Sequence, residues 1–148
     1  MLTAQSLRLD ALYEQDETAW LEAMAVLAEQ GRVAEMDFAH LSEYLGDMAK
    51  RDRREVFSRL VTLMVHLLKW DRQPDRRTGS WRGTIREQRR ELCELLESGT
   101  LRNHAEAVFE KGFEHARPQA SDETELPVNS FPSEPPWNLD ELLADPDA

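Results

Sequence analysis

One short stretch of the chain, HLLKWDRQPDRRTGSWRGTIREQRREL at positions 66–92, gathers side chains that can do chemistry. Its histidine can exchange a proton near neutral pH, and its arginines can hold a carboxylate or phosphate through paired hydrogen bonds. Tryptophan faces beside these cations can hold them or stack on a flat ligand. The stretch is therefore a candidate polar or anion site, comprising His66, Lys69, Trp70, Arg77, Ser80, Trp81, Arg82 and Gln88.

His66 lies in the most apolar part of a predicted helix, LVTLMVHLL, where a buried imidazole without a partner would cost about 1 to 3 kcal/mol. Gln88 is predicted to face inward from the next helix and is one candidate partner, as are Asp16 and Glu43. Two interpretations stay open for this histidine. It is either a core residue that fixes helix packing, or a ligand-binding or catalytic group.

The residues TGS at positions 78–80 open the following predicted helix. Backbone N–H groups at a helix start attract anions, so a phosphate or carboxylate could bind here. Alternatively, Thr78 or Ser80 caps the helix and the neighbouring arginines pair with acidic flanks of the chain. The arginines concerned are Arg76, Arg77, Arg82 and Arg86.

His40, Glu43 and Asp47 recur at i, i+3 and i+7 on one side of a predicted helix, and are weak candidates for metal ligation with His66. A di-metal bundle would need paired carboxylate and Glu-x-x-His motifs on several helices, so we predict no metal. The chain lacks a phosphate-binding glycine loop, a zinc-finger spacing, a nucleophile elbow and an HExxH motif. No catalytic residue or cofactor is therefore predicted.

The net charge of -11 over 148 residues hides a strong segregation. Positions 50–90 hold 13 basic and 5 acidic side chains, whereas positions 1–49 hold 2 and 10, and positions 91–148 hold 3 and 14. Acidic flanks cancel the basic middle at long range, so nucleic acid is not an expected partner.

Apolar spacing predicts an all-α fold, a compact bundle of about five helices. The first helix carries Trp20, Met24 and Leu27 and stops at Gly31. The second begins at Asp37 as N-cap, with Met36 and Leu41 as a hydrophobic staple and the stripe Phe38, Leu41, Leu45 and Met48. The other three span Asp52 to about Trp70, Trp81 to Glu97, and Leu101 to Ala116, the last limited or kinked by Pro118.

The length suggests one domain with one core, residues 1–148. Within it we predict a helical bundle over about 12–117 and an extended acidic tail over about 118–148. The tail ends in a predicted capping box, Asn138 with Glu141, at the start of a short helix. Because a disordered tail rarely needs such a motif, Phe131, Trp137 and Leu142 are expected to dock on the bundle.

Cys93 is the single cysteine and lies in the apolar pattern ELCELL, which favours a core thiol. It cannot form an intramolecular disulfide, and the beginning of the sequence carries no apolar segment of signal-peptide or membrane-spanning length. A reduced, cytoplasmic setting without a membrane is therefore expected.

The motifs HLLKW, QPDRR, SWRGTIREQRRELCELL and FPSEPPWNLDELL resemble the bacterial "domain of unknown function 29" family, as do LYEQDETAW and GRVAEMDFAHLSEYLGDM. The resemblance covers Leu12 to Leu143. It implies a compact, all-helical bacterial protein without an established activity, and attaches no role to the matching residues. The chain departs from the family pattern at Tyr44, where a second acidic residue is usual, and at Gly46 and Ala49. The residues carried over are His66, Leu67, Leu68, Lys69, Trp70, Gln73, Pro74, Arg77, Ser80, Trp81, Arg82, Thr84, Ile85, Gln88 and Arg89.

Two functions from different classes remain. The favoured one is a small interaction or regulatory protein whose Arg/Trp-rich surface around residues 69–90 receives an acidic protein partner or its own acidic tail. The alternative is an enzyme or ligand-binding bundle with a polar pocket for an anionic substrate around His66, Arg82 and Gln88. The first is favoured because the sequence shows no clear nucleophile, metal set or base pair. The oligomeric state is not indicated.

Overall fold

The computed structural model describes residues 4–145, with side chains from Arg8 onward. Its described residues form helices and short turns with no strand, which confirms the all-α prediction. None of the helices found there is both long and apolar enough to cross a membrane. The six helices are α1 (Ala4–Gln15), α2 (Glu17–Glu29), α3 (Phe38–Arg72), α4 (Gly79–Leu95), α5 (Gly99–Thr124) and α6 (Leu139–Leu143).

The contacts divide the chain into two compact units, one reaching to Lys50 and the other beginning at Arg51. Each unit has its own cluster of buried side chains, where the chain length suggested one core. The prediction of a single domain stays a prediction, and the two units are described separately below.

The first unit is built around Trp20, which is fully buried. Met24 and Leu27 are buried beside it, so the three residues form the apolar stripe that their spacing predicted. Gly31 follows α2 with φ of +67°, and the Arg32 N–H donates to the Leu27 carbonyl at 2.9 Å. This is the glycine-ended helix stop that the sequence indicated. The preceding helix, α1, was not predicted.

Asp37 caps α3 as predicted, because its Oδ1 accepts the His40 backbone N–H at 3.2 Å. Met36 and Leu41, the predicted staple, both pack against the Trp20 cluster. The predicted stripe is only partly right, since Phe38 and Leu45 are more than half exposed.

The two predicted helices on either side of residue 50 are one continuous helix, α3, of 35 residues. No proline interrupts the stretch, and its alanine, lysine and arginine residues favour helix. Gly46 alone costs about 1 kcal/mol relative to alanine, too little to end a helix. A Cβ atom at this position would meet nothing within 4 Å among the described residues, so no close packing requires a glycine there.

The second unit is centred on the later part of α3, as predicted for a helix that is apolar nearly all round. Leu60, Leu63, Met64 and Val65 are fully buried there and pack in one cluster with residues of α4 and α5. Cys93 is exposed rather than buried, contrary to the core thiol predicted. Its neighbour Leu92 occupies the inner face of α4, and the next residue of a helix points about 100° away from it.

Pro118 was predicted to limit or kink its helix, and it lies inside α5, which continues to Thr124, so the limiting alternative is wrong. Proline removes one backbone hydrogen bond and crowds the preceding turn. The buried Ala116 and Ala120 flank it on the core side, and their packing holds the helix together across the proline.

The proline-rich tail docks on the second unit, as the sequence indicated. Phe131 and Leu142 are buried, and Trp137 lies edge-on to Phe113 with ring centroids 6.1 Å apart. Asn138 and Glu141 form the predicted capping box at the start of α6. Arg89 Nε donates to the Leu142 carbonyl at 3.1 Å, which ties the tail to α4.

Candidate functional site

The end of α3 and the start of α4 bring the central candidate residues together in the second unit. Helix α3 stops before Pro74, and the last turn of any helix leaves carbonyl groups without helical partners. Arg77 Nε donates to one of these, the Trp70 carbonyl, at 2.8 Å. At the next residue along the chain, the Thr78 hydroxyl accepts the Trp81 backbone N–H at 3.2 Å and caps α4. The capping alternative for Thr78 is therefore correct, and Ser80 is simply exposed.

Trp70 is the organising residue of this region. The guanidinium carbon of Arg77 lies 4.7 Å from the centroid of its ring, and that of Arg82 lies 5.7 Å away. Both arginines are exposed, and in residues 4–145 neither forms an ion pair with a carboxylate. We call Trp70, Arg77 and Arg82 the Arg/Trp corner. Cation–π contact positions the two charges without neutralising them.

A cavity of about 170 Å³ adjoins the corner. Apolar side chains of α3 and α4 line it alongside three guanidinium groups. Asp145, from the acidic end of the chain, lines it too. The lining residues are Leu67, Trp70, Ile85, Arg82, Arg86, Arg89 and Asp145.

Lys69 and Trp81 form a separate contact on the side of α5. The Lys69 ammonium lies 4.6 Å from the Trp81 ring centroid and 3.4 Å from Glu123 Oε1. Lys69 is almost fully buried, so this pairing compensates a charge that would otherwise be costly. Lys69 therefore supports the packing of α3 on α5 and does not line the cavity at the corner.

His66 and Gln88 are not partners of each other. His66 Nδ1 lies 2.9 Å from the Thr62 carbonyl oxygen, one turn earlier in α3, and must donate because a carbonyl can only accept. Gln88 Oε1 accepts a hydrogen bond from Arg59 Nη1 at 3.3 Å. Neither residue lines the cavity beside Arg82. The predicted eight-residue site therefore separates into the corner, the Lys69–Trp81 contact, the two unconnected bonds of His66 and Gln88, and the exposed Ser80.

A second polar cluster lies in the first unit, around His40. The ring of His40 stacks on Tyr13 with centroids 4.1 Å apart. Its Nδ1 lies 2.7 Å from Asp37 Oδ2 and 3.1 Å from Asp10 Oδ1. The same Asp37 oxygen accepts the Trp20 indole N–H at 3.1 Å. We call Asp10, Asp37 and His40 the His40 cluster.

The cluster shifts the proton equilibria of its two central members in opposite directions. The Asp37 carboxylate accepts a hydrogen bond from His40 and, with Asp10, raises the pKa of the imidazole above its ordinary value, although burial opposes this. Burial would raise the pKa of Asp37, but hydrogen bonds from His40 and Trp20 outweigh it and lower that pKa. The cluster therefore favours an imidazolium beside a carboxylate, which is a charge-assisted hydrogen bond.

The metal candidates predicted on one face of a helix do not converge. Of His40, Glu43 and Asp47, only His40 lies in a group whose donor atoms come within 4.8 Å of one another, and its companions are Asp10 and Asp37. Glu43 and Asp47 instead lie near Tyr13, whose phenol pKa is raised first by burial and then by these carboxylates. A metal at the His40 cluster would have to displace the shared proton.

The pairing of Asp37 with His40 was not predicted from the sequence. Their i, i+3 spacing at a helix start was a usable signal, because an N-cap side chain reaches the third residue of its helix. Asp10 and Trp20 had no such signal, since each is brought to Asp37 by the packing of α1 and α2 rather than by local spacing.

Comparison with known proteins supports the resemblance noted in the motifs. The model of the family described as Domain of unknown function DUF29 matches residues 12–146. Neither the curated proteins nor the solved structures compared with the chain gave a match. The matched segment includes most of the first unit, nearly all of the second, and every residue of the Arg/Trp corner. The chain therefore belongs to the DUF29 family.

Proposed function

We propose that this protein is a small interaction protein that binds an acidic segment of a partner at the Arg/Trp corner. One observation carries the proposal. Arg77 and Arg82 are held over Trp70 while their charges stay exposed and unpaired by carboxylates within residues 4–145, in a chain with 29 acidic and 18 basic side chains. With acidic groups in such excess, cations that pair with no carboxylate of the described residues are available to another molecule.

The chemistry of the corner suits a carboxylate on the partner. Guanidinium groups form paired, charge-assisted hydrogen bonds with carboxylates, and tryptophan and arginine are enriched among the residues that dominate binding energy at interfaces. Because Trp70 already restrains Arg77 and Arg82, less side-chain freedom is lost when a partner binds. The apolar lining from Leu67 and Ile85 would accept one apolar side chain beside the partner's acidic groups.

The acidic end of the chain competes for the same cavity. Asp145 lines it together with Arg82, Arg86 and Arg89, so a carboxylate of this protein already borders the same cavity as the three guanidinium groups. An external acidic segment would therefore bind more tightly when Asp145 is removed. This makes Asp145→Ala a useful companion to the arginine variants.

The alternative, a ligand pocket for an anionic substrate, required His66, Arg82 and Gln88 to surround one cavity. Of these three residues, only Arg82 lines the cavity at the corner. His66 bonds to the Thr62 carbonyl and Gln88 bonds to Arg59. We therefore prefer the interaction function.

A bacterial, cytoplasmic setting remains part of this proposal and rests on the lone Cys93 and on the family resemblance.

A labelled acidic peptide with one leucine among its aspartates and glutamates tests the proposal. Fluorescence anisotropy should give saturable binding to the full chain, weakened at least about tenfold by the pair Arg82→Glu and Arg86→Glu. Arg90→Glu is the matched control, because Arg90 lies on the same helix, is exposed, and does not line the cavity. Equal losses in both proteins would mean non-specific charge attraction, and unchanged binding in the double variant would refute the site.

A further inference from the structure

A second basic cavity lies between α3 and α5, well away from the corner along α3. Its volume is about 260 Å³, and it lies wholly within the second unit. Four lining residues carry basic side chains and two are apolar, and no carboxylate is among them. The lining residues are Arg53, Arg54, Phe57, His104, Val108 and Lys111.

Three cations of this cavity have no carboxylate partner among the described residues. In the part of the chain from residue 4 to residue 145, Arg53, Arg54 and Lys111 form no ion pair. Their neighbours behave differently, since Arg59 pairs with Glu55 at 2.9 Å and Arg102 pairs with Asp140.

The acidic residues of α5 do not reach the basic cavity. Glu106, Glu110 and Glu114 line a different cavity, which is formed with the tail. Glu114 is only three positions from Lys111, but none of these carboxylates lines the basic cavity. The cavity is therefore bordered by cations of α5 without an acidic side chain from that helix.

The floor of the basic cavity is apolar. Phe57 is half-buried, and the Lys111 ammonium lies 5.9 Å from its ring centroid. His115 meets the same ring edge-on, with centroids 5.3 Å apart. Val108 adds a further apolar surface. A cationic rim above an aromatic floor matches a molecule with an anionic head and an apolar body.

We propose that this cavity binds a small amphiphilic anion, in which a carboxylate, sulfonate or phosphate is joined to a compact apolar group. The head would pair with Arg53, Arg54 and Lys111, and the apolar part would cover Phe57 and Val108. Neither part is sufficient alone, because exposed charge pairs contribute little in water and the apolar floor is small. The site is separate from the Arg/Trp corner and does not depend on the function proposed there.

Octanoate is a suitable probe, and three ligands separate head from body. Calorimetric or NMR titration of the full chain should show saturable octanoate binding, with a dissociation constant of roughly 1 mM or below for a ligand of this size. Octanol, which lacks the charge, and acetate, which lacks the body, should each bind at least about tenfold more weakly. If either binds as tightly as octanoate, the proposal is wrong.

Variants place the probe on the molecule. Lys111→Glu and Arg54→Glu should each weaken octanoate binding at least about fivefold, because each replaces a cation of the cavity with an anion. Both residues are exposed, so the variants are expected to fold. Arg90→Glu makes the same charge change elsewhere and should leave binding unchanged. If Arg82→Glu abolishes binding and Lys111→Glu does not, the probe occupies the corner and the inference fails. The full chain can also be tested for pelleting with anionic phospholipid vesicles. If it pellets with them and Lys111→Glu abolishes the pelleting, the ligand is a membrane surface, and the proposal of a small amphiphilic anion is wrong.

Discussion

The His40 cluster and the Arg/Trp corner treat a positive charge in opposite ways. In the first unit the imidazole lies within 3.1 Å of two carboxylate oxygens, and one of these carboxylates also caps α3 and accepts the Trp20 indole N–H. In the second unit two guanidinium groups rest on an indole ring and remain exposed. A cation whose partners come from its own fold stabilises that fold, whereas a cation that is only positioned stays available for binding.

The largest effect is expected from removing the carboxylate at the centre of the His40 cluster. Asp37→Ala removes the cap of α3, the acceptor for Trp20 and the partner of His40, so we expect a loss of about 2 to 3 kcal/mol in unfolding free energy. Urea denaturation followed by helical circular dichroism measures it. Asp10→Ala is the control, because this exposed carboxylate contacts the same ring but caps nothing, and should cost less than about 0.5 kcal/mol. Equal losses in the two variants would contradict a closed cluster centred on Asp37.

A smaller effect is expected at the corner. Arg77→Ala removes one cation–π contact and the hydrogen bond to the Trp70 carbonyl, both at an exposed residue, and should cost about 1 kcal/mol or less. The same denaturation assay measures it, with the exposed neighbour Arg76→Ala expected to stay within about 0.5 kcal/mol of the parent. A loss above about 2 kcal/mol would mean that the corner stabilises the fold as the His40 cluster does, and would contradict the contrast between the two regions.

The smallest effect is expected from pH. The folded-state pKa of His40 is raised. The contribution of His40 to the unfolding free energy is therefore complete below its unfolded pKa of about 6.5, and is lost as pH rises through the folded pKa. Because the pKa of Asp37 is lowered, its contribution is present above about 3.9 and is lost as pH falls through the folded pKa. Both contributions coexist in mildly acidic solution.

His40→Gln isolates the histidine part of this dependence. The stability difference between parent and variant should be larger near about pH 5 than near about pH 8, since only the parent gains from protonation. Hydrogen exchange of the Trp20 indole gives a readout local to the first unit. The same difference at both pH values would show that the charge of His40 does not contribute.

Much of the fold was readable from the sequence. The caps at Asp37 and Asn138, the stop at Gly31 and the buried stripe of Trp20, Met24 and Leu27 all follow from spacings of a few residues. Local signals were overridden where packing outweighed them. Pro118 was expected to limit or kink its helix, and it does not limit it, because α5 continues past it with Ala116 and Ala120 buried on either side.

The site was only partly readable. Membership of Trp70, Arg77 and Arg82 in one cluster followed from their closeness along the chain around Pro74. The separation of His66 and Gln88 from that cluster did not, because a helical pattern says which face a residue lies on but not which neighbour it meets. Arg59, which donates a hydrogen bond to Gln88, lies outside the motifs that predicted the site.

The amino-acid sequence by itself determined the all-helical class, most of the helical segments, their caps and the concentration of cations between residues 50 and 90, since these depend on interactions within one or two turns. Only the tertiary structure decided which charges are paired. Asp10 reaches His40 and Glu123 reaches Lys69 across long stretches of chain, while Arg82 and Lys111 find no such carboxylate within the described residues. That choice depends on how helices pack, and packing joins residues whose separation along the chain carries no local signal.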